Sequence, residues 1–341
     1  MSRSTVAGSV PSAMSHEIET MAYVVEVPWH GLGTRLASTP SVDEMLIQAG
    51  LDWTVSKRPL FTQRARGEML EIKGQKALVR DTDHKVLSVV TDRYVPVQNR
   101  QAFEFFRRFC DAGQLELETA GALKGGGFIW ALARIGRDFD IGLSGHGQSD
   151  EVRNYLLLMN SHQATHALTA QFTPVRVVCW NTLNIAMGAG LKGKGERVFR
   201  MPHLREFDEE ARRLAAETLG LLEDQIEQFR TLVRELAHTP FPIEARDPYI
   251  REVFGLAAPA GEEESEAGKR LVPRVLEAFD CAPGQALDTA RGTAWGAVNA
   301  VTWFVDHSRG RSRDSALTSA WFGEGAAVKR RALEKAAEFA A

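Results

Sequence analysis

Cysteine is scarce in this sequence: three in 341 residues (Cys110, Cys179 and Cys281), with no CxxC pair. That excludes a disulfide-stapled fold and a zinc ribbon, and it fits a reducing compartment. Long apolar runs are missing as well. Runs such as residues 156–159 fall far short of the about 20 residues a spanning helix needs, so no membrane partner is expected. Surplus charge is nearly absent, at −3 from 41 Lys+Arg and 44 Asp+Glu. The basic excess by which nucleic-acid binders usually declare themselves is therefore not there. What remains is a globular profile, 44% hydrophobic and 25% charged with 29 Gly and 13 Pro. The length suits two domains or one large one.

The small net charge hides a split. Up to Met201 there are 23 Lys+Arg against 20 Asp+Glu, and from Pro202 onward 18 against 24. The pattern of elements changes at the same place. Residues 1–15, rich in Ser, Ala, Gly and Val, read as a disordered tail rather than a signal peptide, with Met1 and Met14 as alternative starts. Residues 16–201 read as an α+β core. Thr39 or Ser41 caps a short helix ending at Gly50, and strands follow at 51–56, 76–80 and 86–91, the last two joined by DTDHK. Asn99 caps a helix over 100–111. Two hairpins come next, 116–123 with 128–135 and 153–160 with 165–172. Thr173-Pro174 then looks like a helix start, with the helix running to about Met187.

Residues 202–341 read as a helical region. Phe207, Ala211, Ala215, Leu219, Leu222, Ile226, Phe229, Val233 and Leu236 recur at three- and four-residue steps, as one long amphipathic helix with a coiled-coil-like seam. An acidic loop is expected at 258–268 and helices at 269–279, 290–306 and 326–340. Strands and hairpins first and helices last, without βαβ alternation, give the class: α+β, with antiparallel β-hairpins and packed helices in the N-terminal part and a helical C-terminal part.

A set of blocks in this order carries a resemblance. They are WHGLG at 29–33, DW at 52–53, TDRYVPVQNRQAFEFF at 91–106, ETAGALKGGG at 118–127 and WALAR at 130–134. After these come YLLLMNSH at 155–162, TPVRVVCWNTL at 173–183, GTAWGAVNAVTWFVDH at 292–307 and WFGEGAAVKRRAL at 321–333. Together they resemble the phage/plasmid-like protein family, a bacterial domain of unknown function numbered 932. NSHQATHA departs from the commoner wording after His162. The resemblance implies a mobile genetic element and a bacterial host cytoplasm, and it carries over no catalytic residue.

Individual motifs are weighed on their chemistry. Gly188, Gly190 and Gly193 spell GxGxxG, but a helix rather than a strand is expected before them, so a dinucleotide site is rejected. Cys179 with His162 and Asn181 is the candidate catalytic set for a thiol- or histidine-dependent hydrolase or nuclease. A cysteine in the second helical turn beside Val177 and Val178 reads more readily as a small buried hydrophobe. His162 and His166 lack a third ligand, and Asp138, Asp140 and Asp150 read as turn formers, so no metal and no cofactor are expected.

Two functions from different classes follow. The first is single-stranded DNA binding or annealing in recombination or replication, by a homo-oligomer. Arg58, Arg64, Arg66, Arg93, Lys192, Lys194, Arg197 and Arg200 are its candidate phosphate contacts, with Trp29 and Tyr94 to stack bases. The strand-strand-strand-helix order of residues 51–111 is similar in outline to the core of single-strand annealing proteins, which is analogy at the level of fold. The second is the hydrolase or nuclease, and an interaction with a host protein stands behind both. Binding without catalysis ranks first.

Overall fold

Six consecutive residues of the strand at Phe128–Arg134 are buried, and they alternate between two cores: Ile129, Ala131 and Ala133 face one, Phe128, Trp130 and Leu132 the other. Such a strand is covered on both sides, and the period of two sorts its residues. In the computed structural model this strand, β7, sits inside a nine-stranded sheet. The structure describes residues 18–24, 33–142, 149–178, 181–182, 199–204, 213, 217, 222–256, 265–308, 319–321 and 323–341.

In chain order the described elements begin with β1 (Ile18–Tyr23), β2 (Thr34–Arg35), α1 (Val42–Gln48), β3 (Val55–Gln63), β4 (Met69–Arg80), β5 (Val86–Thr91) and α2 (Asn99–Asp111). Then come β6 (Glu116–Leu123), β7, β8 (Phe139–Asp140), β9 (Glu151–Ser161), β10 (Leu168–Arg176), β11 (Asn181–Thr182) and β12 (Phe199–Met201). The helices α3 (Leu222–His238), α4 (Ile243–Phe254), α5 (Glu266–Cys281), α6 (Ala294–Trp303) and α7 (Glu324–Ala340) close the chain, with a π-helical turn at Phe304–Ser308 after α6. The large sheet runs β11-β10-β9-β7-β6-β1-β2, with β12 on β10 and β8 on β9; β3-β4-β5 form a second, antiparallel sheet. Mixed helices and antiparallel sheets make the fold α+β, as its order of elements implies.

Two local expectations fail for traceable reasons. Thr173-Pro174 starts no helix: both residues lie in β10, paired with Tyr155 and Asn154. The Asn154 N–H goes to Asp138 and its carbonyl accepts from Ile135 N–H, so this pair exchanges no ladder bond across β9 and β10. The N–H that proline lacks would face the other side, where β11 pairs only from Val175 on. Asn99 is not the cap of α2 either. The Gln98 N–H is accepted by Gln101 Oε1, one half of a capping box, and the Asn99 side chain is used elsewhere. Ser41 does cap α1, its hydroxyl accepting the Glu44 N–H.

In the C-terminal part, the described portion of the long amphipathic helix is Leu222–His238, with Arg213 and Glu217 also helical. The described part of its seam packs inside the chain. Phe229, fully buried, meets the rings of Phe139, Phe172 and Trp295, so the apolar stripe is spent against β10 and α6 of the same chain. Helix α4 has no counterpart in the expected elements; Pro242 stands at its N-cap and Pro248 lies within it. Helix α5 starts at Glu266, capped by Ser265, inside the expected acidic loop, whose residues 258–264 lie outside the described ones.

α6 is buried on every side, which its sequence AWGAVNAVTW permits. Gly296 is obligatory there, because a Cβ would stand 1.9 Å from the carbonyl oxygen of Ala290. Beside it runs the deepest ion pair among the described residues. Arg176 at the end of β10 donates to both oxygens of Asp150 at 2.7 Å and to Gly284 O, and Thr289 adds its hydroxyl to Asp150. Asp150 is therefore no turn former; it anchors the sheet to the segment between α5 and α6. Asp140 does act as a turn former, accepting from the N–H of Gly142 and of Asp150. Arg176→Met alone leaves a buried carboxylate charge and is expected to cost roughly 3–5 kcal/mol in urea unfolding. The double change Asp150→Leu/Arg176→Met is expected to recover much of that.

Candidate functional site

The β3–β4 hairpin carries seven basic residues (Lys57, Arg58, Arg64, Arg66, Lys73, Lys76, Arg80) against Glu68 and Glu71. Its base is covered by β5, which pairs with residues 75–79 of β4. Beyond Gln75 no third strand joins it among the described residues, and a bulge between Pro59 and Phe61 lets Phe61 pair with Glu71 and Gln63 with Met69. The tip turn is closed by Gly67 N–H to Arg64 O and by Arg64 N–H to Glu68 O. Phe61, Met69 and Leu70 stay exposed on this extension. Phe61 and Met69 share one face, since their cross-strand partners Glu71 and Gln63 are each two residues away.

Several of these cations are already engaged: Arg58 with Asp81, Arg64 with Glu68, Lys76 with Glu71, and Arg80 with Glu19 and Asp83. Arg66, Lys73 and Arg93 are exposed and form no ion pair among the described residues. The Asp92 N–H donates to Gly74 O, which brings Arg93 beside Lys73 where the hairpin leaves the sheet. The structure thus gathers Arg64, Arg66, Lys73 and Arg93 along one projecting element, with Arg58 nearer its base. Arg200 is exposed on β12, in the other sheet. Trp29, Lys192, Lys194 and Arg197 lie outside the described residues.

Tyr94 is withdrawn from base stacking. It is 6% exposed, its hydroxyl donates to Ser161 O, and its ring stacks on His203 with centroids 4.9 Å apart. Burial pushes its phenol well above the ordinary range. Phe61, absent from the sequence candidates, is the exposed aromatic instead. Its signal was available in the alternation of 57–63, but strand periodicity does not say which strand end outruns its neighbours.

The second constellation is buried. Asn99 Nδ2 donates to the carbonyls of Leu51 and Trp53, which turns Asn99 Oδ1 toward His162 Nε2 at 2.8 Å. Nε2 is then the protonated nitrogen and Nδ1 carries a bare lone pair. His162 is fully buried, its ring 5.3 Å from that of Trp53, and its backbone carbonyl accepts from Ser88 Oγ. Burial, with His203 nearby, pushes this imidazole down to about 3, so it is neutral across physiological pH. As a catalytic base it has no access to a substrate in this conformation. Of the other members of the candidate set, Cys179 lies outside the described residues, and Asn181 is described only as backbone of β11, paired with Arg176.

Among the other thiols, Cys281 is exposed and Cys110 half-buried, and burial, aided by Asp111, pushes the Cys110 thiol up to about 11. No group of three or more His, Cys, Asp and Glu side chains gathers among the described residues.

The model of a domain of unknown function, DUF932, matches residues 86–321. The chain belongs to the DUF932 family. No curated protein and no solved structure matches it. The DUF932 span takes in β5, Asn99, Asn160, His162 and His203, whereas the β3–β4 hairpin precedes it.

Two outcomes follow from these environments. At pH 8 a thiol at about 11 is about one part in a thousand thiolate, so alkylation mapped by mass spectrometry is expected to mark Cys281 at least tenfold before Cys110. Asn99→Ala leaves His162 Nε2–H and the Leu51 carbonyl unpaired, and is expected to cost about 2–4 kcal/mol in urea unfolding. Ser41→Ala, which removes only a helix cap, is expected to cost about 1 kcal/mol in the same measurement.

Proposed function

We propose that this protein binds single-stranded nucleic acid, DNA in the first instance, through the projecting β3–β4 hairpin. The binding serves annealing during recombination or replication of a phage or plasmid in a bacterial cytoplasm. One observation carries the reading: an uncovered hairpin with a basic tip and unpaired Arg66 and Lys73, next to an exposed phenylalanine. Phosphates are held by cations without regard to sequence, and an unpaired base has a free face for an aromatic ring. A duplex offers the first contact and hides the second.

The net charge of −3 does not oppose this, because the acidic excess, 24 Asp+Glu against 18 Lys+Arg, lies beyond Met201 while the hairpin holds a local excess of five positive charges. No chemical step is part of the proposal. A hydrolase built on His162 is disfavoured by the burial that keeps its imidazole neutral and covered.

Fluorescence anisotropy of a labelled oligothymidylate, titrated across NaCl concentrations, tests the reading. Each lost phosphate contact lowers the log–log salt slope by about 0.7, so Arg66→Ala/Lys73→Ala is expected to flatten it by about 1.4. Phe61→Ala is expected to weaken single-strand binding about 5- to 150-fold, the equivalent of one stacked base, at nearly unchanged slope. Absence of binding at about 50 mM salt, or a slope untouched by the double variant, would sink the proposal.

A further inference from the structure

Four buried side-chain atoms around the end of β9 have no hydrogen-bond partner among the described residues: His162 Nδ1, Asn160 Oδ1 and both ring nitrogens of His203. All three residues are at least nine-tenths buried, at 0%, 0% and 5% exposed. Their neighbourhood is shared. Asn160 and His162 are two apart at the end of one strand, hence on one face. His203 follows β12, which flanks β10 on the edge opposite β9: Met201 pairs with Leu168, whose next residue Thr169 pairs with Met159. Tyr94 spans the gap, its ring stacked on His203 and its hydroxyl bound to Ser161 O, between Asn160 and His162. The His203 carbonyl is fixed as well, accepting from Val95 N–H.

Native interiors seldom leave one such group bare, and a cluster points to something that takes up lone pairs. His162 already has the posture of a metal-bound imidazole. Its Nε2–H is given to the amide oxygen of Asn99, whose Nδ2 in turn donates to two backbone carbonyls, and Nδ1 is left unprotonated. Asn160 is held in the same way: its Nδ2 donates to Val97 O, leaving Oδ1 as the only unused atom. His203 makes no hydrogen bond through its ring, so either nitrogen is free to serve as a ligand. Complete burial suits a single ion rather than an organic ligand.

We propose that His162 Nδ1, a ring nitrogen of His203 and Asn160 Oδ1 hold one divalent cation of the zinc class. Two imidazoles and a neutral oxygen suit zinc, cobalt, nickel or copper, whereas magnesium and calcium call for carboxylates that this cluster lacks. A fourth position is left for water. Bound there, the ion ties β12, the last strand before the helical part, to the end of β9 and through Asn99 to the start of α2. This site is independent of the hairpin and of the nucleic-acid reading.

The test uses the full chain without a polyhistidine tag, stripped with a chelator and dialysed against Zn2+ or Co2+. The expected result is one equivalent of zinc per chain by atomic emission, bound tighter than about 1 μM, with visible absorption on cobalt substitution and a raised Tm. His162→Gln and His203→Gln are each expected to abolish retention, with His238→Gln, at an exposed position, retaining it. Asn99→Ala, which removes no ligand, is expected to weaken affinity about 10- to 100-fold. Circular dichroism reports whether each variant folds. Should His162→Gln fail to fold, His203→Gln and the wild-type stoichiometry decide. The proposal is overturned if stripped wild-type protein takes up no cation, or if folded His162→Gln or His203→Gln takes up as much as wild type.

Discussion

The constraint on which this structure depends is the burial of one large sheet on both faces. A strand enclosed in this way has no solvent side, so each polar side chain it carries must meet another polar group inside. Arg176 meets Asp150, Thr289 and Gly284; His162 meets Asn99; Asn154 reaches the Arg137 carbonyl. The Arg176 and His162 contacts tie the sheet to the segment before α6 and to the start of α2. The apolar packing between them is less particular, because alternation alone sends Ile129, Ala131 and Ala133 to one core and Phe128, Trp130 and Leu132 to the other.

The same constraint explains what is left outside. The three-stranded sheet is only partly covered, and its β3–β4 hairpin outruns β5 by most of its length. Five of the exposed large hydrophobic residues (Phe61, Met69, Leu70, Val86 and Val89) belong to this small sheet. A protein that buries Arg176 and Lys329 completely leaves Arg66, Lys73 and Arg93 in solvent. Lys329 shows the opposite treatment. It is tied to Asp306 in the π-helical turn at 2.7 Å, and its burial works against the charge that the carboxylate supports.

Much of the fold was legible in residue order, because local periodicity is a local property. The capped helix at Ser41, the DTDHK turn, both β6–β7 and β9–β10 hairpins and the terminal helices follow from spacing and turn chemistry that act over a few residues. Errors came where a residue type has two uses. Thr-Pro opens helices, yet Pro174 fits β10 because its missing N–H faces no partner. Asn caps helices, yet Asn99 sits one position inside and orients a histidine 63 residues away. Tyr94 looked like a surface ring in a polar stretch and proved to be a buried bridge to Ser161 and His203.

The amino-acid order by itself determined the class of this protein, the family to which it belongs, and the sign of charge along its length, since each depends on composition and short-range pattern. The tertiary structure alone decided which of the arginines are spent in ion pairs, that Phe61 rather than Tyr94 stands exposed, and that His162, His203 and Asn160 are buried with unused polar atoms. The contacts of His162 with Asn99 and of Tyr94 with Ser161 join positions 63 and 67 apart. Burial and hydrogen-bond partnership are properties of such meetings, and no window of neighbouring residues contains them.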